Sequence, residues 1–123
     1  MQGFKHIVAW QRGYALGIAI ARTAVGFSRR GHTNLRTQLT KAAESIATNI
    51  VEGCGAPSNK EFARYLGISI KSANETEHHL MVAHGHGLLS DQLWHKYTAE
   101  VIEVRKMIYS YRRKVLDSDR DAD

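Results

Sequence analysis

Residues 38–53, QLTKAAESIATNIVEG, followed by Pro57-Ser58-Asn59-Lys60-Glu61-Phe62, decide the fold. Small and apolar residues recur at helical spacing: Leu35, Leu39, Ala42, Ile46 and Ile50 share one face. Thr33 or Asn34 is a candidate cap at the start of this helix, and Gly53 is its expected C-terminal glycine. Ser58 and Glu61, three residues apart, form a capping box that opens the next helix. These are packing and punctuation signals, not catalytic ones. They place function on a surface or in an assembly.

Three more segments share the period. Ile7, Trp10, Tyr14, Ile18, Ala21 and Val25 form the expected core stripe of a first helix, which Arg29-Arg30-Gly31 closes. Phe62, Leu66, Ala73, Leu80 and Ala83 form the third stripe, ended by Gly85 and Gly87. Ser90 caps a fourth helix whose stripe, Leu93, Tyr97, Val101, Val104, Ile108, Tyr111 and Val115, is nearly a strict heptad. No useful length alternates with period two. The expectation is an all-α domain of residues 1–116: an antiparallel up-down-up-down four-helix bundle with helices about 7–29, 35–53, 59–85 and 91–116. Residues 117–123 are expected to form an acidic disordered tail.

Composition narrows the classes of function. The chain has 123 residues, the length of one domain, and 43% are hydrophobic and 24% charged, as in ordinary soluble proteins. No run approaches the roughly 20 apolar residues of a membrane span, and the N-terminus lacks signal-peptide organisation. Cys54 is the one cysteine, so an internal disulfide is excluded; a cytoplasmic protein is expected. Between two glycines, Cys54 reads as an incidental loop thiol. No Walker loop, dinucleotide fingerprint or hydrolase elbow frames Ser45 or Ser72, and no enzyme activity or cofactor is expected. Asn49 and Glu52 are read as groups that satisfy helix ends or fix an interface.

The histidines are the metal question. His78, His79, His84 and His86 crowd one helix end, and Glu75-x-x-His78 is half of a di-iron motif. No second Glu-x-x-His exists, so the ligand set is incomplete and no metal site is assigned; histidines at an exposed helix end are expected.

The cations carry the remaining signal in a chain of net charge +5. Arg29, Arg30 and Arg36 gather at the first interhelical turn, with Lys41 one turn on. Arg105, Lys106, Arg112, Arg113 and Lys114 lie on the last helix, off its apolar stripe. These nine residues are the candidate nucleic-acid contacts, led by phosphate rather than base recognition, since no recognition motif is present. Tyr109 and Tyr111 are candidate stacking aromatics, although Tyr111 sits on the core stripe. The plainer reading is that such charges solvate exposed faces and pair with Glu100 and Glu103.

The segments Gln38-Leu39-x-Lys41-Ala42-Ala43-x-Ser45-Ile46, Asn49-Ile50-x-Glu52-Gly53 and Ser58-x-Lys60-Glu61-Phe62-x-Arg64-Tyr65-Leu66 resemble the four-helix-bundle family of S23 ribosomal, or 23S rRNA intervening-sequence, proteins. Ser72…Glu75-x-Glu77 and Phe4…Val8-x-Trp10-Gln11 extend the resemblance over nearly the whole chain. It implies an antiparallel bundle that assembles as a ring, usually a homopentamer, with no enzymatic activity. More distant similarity runs to basic accessory proteins of retroelements, which implies RNA or DNA as a partner and a protein partner beside it. The chain departs from the family pattern at Ala47, where proline is common, and at Ala73-Asn74, where leucine is more usual. A protein-interaction scaffold without a nucleic-acid role is the alternative function.

Overall fold

Pro57, the one proline, falls between two long helices and ends neither from within. The protein is described by a computed structural model over residues 3–121. A short 3-10 turn, Phe4–His6, leads into α1 (Val8–Ala24). A second 3-10 segment, Val25–Arg30, is followed by α2 (Thr33–Cys54), α3 (Asn59–Gly85) and α4 (Asp91–Asp121). Among the described residues there is no strand. Contacts join α1 to α2, α2 to α3, α3 to α4 and α4 back to α1. The four helices thus enclose one core, centred on Ile20, Leu39, Ile46, Ile50, Leu66, Leu80, Val101, Val104 and Ile108.

Local chemistry accounts for the helix starts. The Ser58 hydroxyl accepts the Glu61 amide at 3.1 Å, and Ser90 accepts the Leu93 amide at 3.2 Å. Only half of the expected capping box forms at α3, because the Glu61 carboxylate turns to Arg64 instead. At α2 the cap position falls on His32, with no side-chain bond, and not on Thr33 or Asn34. The reason lies upstream: Gly31 is left-handed at φ 84°, and the His32 amide returns to the Phe27 carbonyl at 2.9 Å, which sets the chain's entry one residue earlier.

The apolar stripes expected on α2, α3 and α4 face the core. That on α1 does so only at its start, where Ile7 is buried and Trp10 packs against the core. The buried face of α1 is Ala9, Gly13, Leu16, Gly17, Ile20 and Ala24, while Tyr14 and Val25 are 52% and 43% exposed. Small residues occupy the inner face because α1 and α2 nearly touch: a Cβ at Gly17 would lie 3.4 Å from the Ala43 carbonyl oxygen. The large residues that dominate the sequence period are left on the other side. α1 also ends early. Its last turn tightens to 3-10 geometry at Val25-Gly26, where β-branched and glycine residues are poor helix formers, while Phe27 drops into the core.

Two further expectations at the end of α2 are corrected. Gly53 does not stop the helix, which continues through Cys54; Gly53 is instead where α3 crosses closest, and a Cβ there would lie 2.6 Å from Phe62 Cδ1. Cys54 is accordingly no loop thiol but a buried core residue, 5% exposed. The expected disordered tail is likewise mostly helical: α4 continues to Asp121, and residues 122–123 lie outside the described residues. Val115 is buried, and Asn59 donates to Asp119 at 2.9 Å, so the last turns dock on the start of α3.

The α2–α3 seam is polar as well as small. Ser69 donates to the Ile46 carbonyl at 2.6 Å, Ser45 and Ser72 share a hydrogen bond of 2.8 Å, and the Asn49 amide donates to both the carbonyl and hydroxyl of Ser45. Each group satisfies a partner within the seam, the structural role read for Asn49.

Gly53→Ala should cost about 1–3 kcal/mol, because its methyl meets an aromatic ring held by the core. Thermal unfolding should fall by several degrees, whereas Gly85→Ala, with nothing within 4 Å of its Cβ, should leave the midpoint unchanged or higher.

Candidate nucleic-acid interface

The charges divide into those tied inward and those left facing out. Arg12 forks onto Glu100, with nitrogen–oxygen distances of 2.8 and 2.9 Å, joining α1 to α4. That contact raises the Arg12 pKa and lowers that of Glu100. Arg105 donates to Glu77 at 2.6 Å and to Asn74 at 3.0 Å, joining α4 to α3. The Arg112 guanidinium donates to the Ala63 carbonyl at 3.0 Å. These arginines are structural.

The α4 set is therefore split. Arg105 and Arg112 are spent on α3, and Lys106 lies 3.9 Å from Glu103. Lys106 and Lys114 line a hollow of about 480 Å³ against His6, Val8 and Met107, and Arg113 is exposed. Tyr109 is half exposed, while Tyr111 is partly buried and meets Phe62 at 5.8 Å between ring centroids. Burial pushes the Tyr111 phenol up, as expected of a core-stripe residue.

The other set converges. Arg36 and Lys41 on α2, with Arg22 on α1, line an open groove of about 730 Å³ whose walls include Thr33, Thr37, Thr40 and Thr48. Arg29 and Arg30, in the 3-10 segment before α2, are exposed but do not line it: Arg30 donates to the Gly87 carbonyl at 2.9 Å, while Arg36 donates to the Ser28 hydroxyl at 3.3 Å. Among the described residues no carboxylate lies within ion-pair distance of Arg22, Arg29, Arg30, Arg36 or Lys41. Arg22, which is not among the nine candidate contacts read from the sequence, belongs to the groove. Its place on the α1 face beside α2 could be read only once that face was known. The hydroxyls of Thr37 and Thr48 already donate to the Thr33 and Glu44 carbonyls, so the cations are the groove's main donors.

The histidines do not converge on an ion. His84 stacks on Trp94, with 3.9 Å between centroids, and bonds Asp91 at 2.6 Å; His86 meets His32 across two turns. His78 and His79 sit side by side one turn earlier, with His79 largely buried. Among the described residues no three histidine, cysteine or acidic groups are placed to hold a metal ion.

A sequence model of the 23S rRNA-intervening sequence protein family matches residues 5–110. The chain belongs to that family. A solved structure from the S23 ribosomal protein family of Bacteroides thetaiotaomicron VPI-5482, a protein of unknown function, aligns over 85% of this chain and 98% of its own. The TM-score is 0.81 at 22% identity, a likeness that shows the fold. No curated protein matches the chain. No helix among the described residues is long and apolar enough to cross a membrane. The groove and its unpaired cations are thus features of a family member's four-helix fold, set on the α1–α2 side.

Burial raises the Cys54 thiol pKa, so thiol reagents should modify it slowly in the native protein and fast in denaturant. Burial also lowers the His79 pKa, ahead of the opposing pull of Glu75. The unfolded chain therefore takes up this proton first, and stability is lost as pH falls below about 6.5. In denaturant titrations between about pH 7 and 5, His79→Gln should flatten that decline.

Proposed function

We propose that this family member is a non-enzymatic protein of the cytoplasm that binds RNA or DNA through the phosphate backbone, as an antiparallel bundle assembled into a ring, a homopentamer as the family resemblance implies. The observation that carries the binding is the group Arg22, Arg36 and Lys41, which line one groove with no ion-pair partner, with Arg29 exposed in the 3-10 segment just before α2. Phosphates are the ligands that such a surface suits, and lysine and arginine contacts supply most sequence-independent affinity. Arg113 and Lys114 at the far end of α4 offer a weaker second patch.

Other observations support the finer parts of the reading. Gly13 lies against Ile46 and Gly17 against Ala43, while Arg105 pairs with Glu77 and Arg112 with Ala63. In each pair numbering rises on one helix as it falls on the next, the sense of an antiparallel bundle. Val8, Met81 and Tyr109 are large apolar residues left half exposed on three different helices, which favours burial between copies. The same residues support the scaffold reading, in which a foreign protein covers them. Against enzyme chemistry stand a thiol enclosed by the core and two serines bonded to each other.

Binding of labelled RNA and DNA should fall steeply with salt. Arg29→Gln, Arg36→Gln and Lys41→Gln combined should weaken it at least tenfold for all sequences alike, read by fluorescence anisotropy. Affinity indifferent both to salt and to that triple variant would remove the groove from the function.

A further inference from the structure

The cationic groove does not end at its cations. It runs on along α1 and α2 into a second hollow of about 290 Å³ lined by Trp10, Gly13, Tyr14, Gly17, Ile18, Ala47 and Val51, and the two share Glu44 and Thr48. One end of the continuous furrow offers Arg22, Arg36 and Lys41; the other offers aromatic surface. Tyr14 and Trp10 are stacked, with centroids 5.2 Å apart and planes 23° from parallel, and Phe4 backs Trp10 edge-on at 4.9 Å. The Tyr14 ring is therefore held by a ladder of aromatics, yet is 52% exposed. From Tyr14 to Arg22 the helix rises about 12 Å.

We propose that this furrow takes single-stranded nucleic acid, with phosphates at Arg22, Arg36 and Lys41 and a base stacked on Tyr14. The assignment rests on the nucleic-acid reading above and names its ligand class. Cations tracking a backbone beside an aromatic platform are the two elements that single strands need, because their bases are free to leave the stack. A duplex keeps its bases paired and gains from the cations alone. Glu44, between the two halves, has no ion-pair partner among the described residues. Its carboxylate repels phosphate and accepts hydrogen bonds from base N–H groups, so the base edge is the part of the strand that passes it.

The test titrates the full-length protein with labelled 12-nucleotide single strands of RNA and DNA and with the matching duplexes, at two salt concentrations. Single strands should bind more tightly than duplexes. Tyr14→Ala should weaken single-strand binding about five- to 150-fold and leave both duplex affinity and the salt slope alone. Tyr14→Phe should keep wild-type affinity, and Lys41→Gln should weaken every probe and reduce the salt slope by about one. Circular dichroism checks that the variants fold. Ultraviolet crosslinking of the wild-type protein to a single strand gives a readout independent of any variant, with the adduct expected at Tyr14 or Trp10.

Salt-dependent binding that ignores Tyr14→Ala, or that prefers duplex, overturns the stacking furrow while leaving the phosphate-binding surface in place. Failure of the folded wild type to bind any probe at low salt overturns both. A Tyr14→Ala protein that changes its assembled mass but not its affinity gives the furrow to a second copy of the chain, and the proposal fails.

Discussion

Everything in this fold depends on how closely α2 is approached from both sides. On one side Gly17 brings the α1 backbone against Ala43; on the other Gly53 admits the Phe62 ring of α3 where no Cβ would fit. Ala42, Ala43 and Ala47 keep the helix between them narrow. Backbones this near leave little room for water, so the polar groups of the seam must find partners in one another, as Ser69, Ser45, Ser72 and Asn49 do. The same closeness sets the rotation of α1. With glycine and alanine turned toward α2, only Leu16 and Ile20 of its large residues reach the core fully, and Tyr14 and Val25 are left on the outer side.

That rotation explains where sequence reading succeeds and where it fails. On α2, α3 and α4 the bulky apolar residues are the buried ones, so counting them at helical spacing finds the core. On α1 the same count starts correctly at Ile7 and Trp10 but runs on to Tyr14 and Val25, which lie on the surface. A glycine at a helix end is more often punctuation than packing, which hides the role of Gly53 until the α3 ring is in view. Cys54 follows from the same misreading. The tail reads as disordered from its aspartates alone, yet its helix is held by Val115 and by Asn59, a partner 60 residues away.

The cations show a second limit. Their number and rough grouping are visible in the sequence, but their availability is not. Glu100 is separated from Arg12 by 88 positions and Glu77 from Arg105 by 28, distances at which no local pattern links acid to base. Once those contacts are set aside, the α4 cluster loses its arginines at 105 and 112 to the framework and Arg30 is tied to the Gly87 carbonyl, while Arg36 and Lys41 line the α1–α2 groove and are joined by Arg22. Position in the fold, more than count of charges, separates structural from accessible arginine.

The enclosed thiol has a consequence for any assembly of these chains. Each copy brings one thiol, buried at the end of α2 and turned away from the native surface. Copies can therefore meet only by reversible, non-covalent contact. Oxidants have no disulfide with which to link copies of the protein while it stays folded, whatever its association.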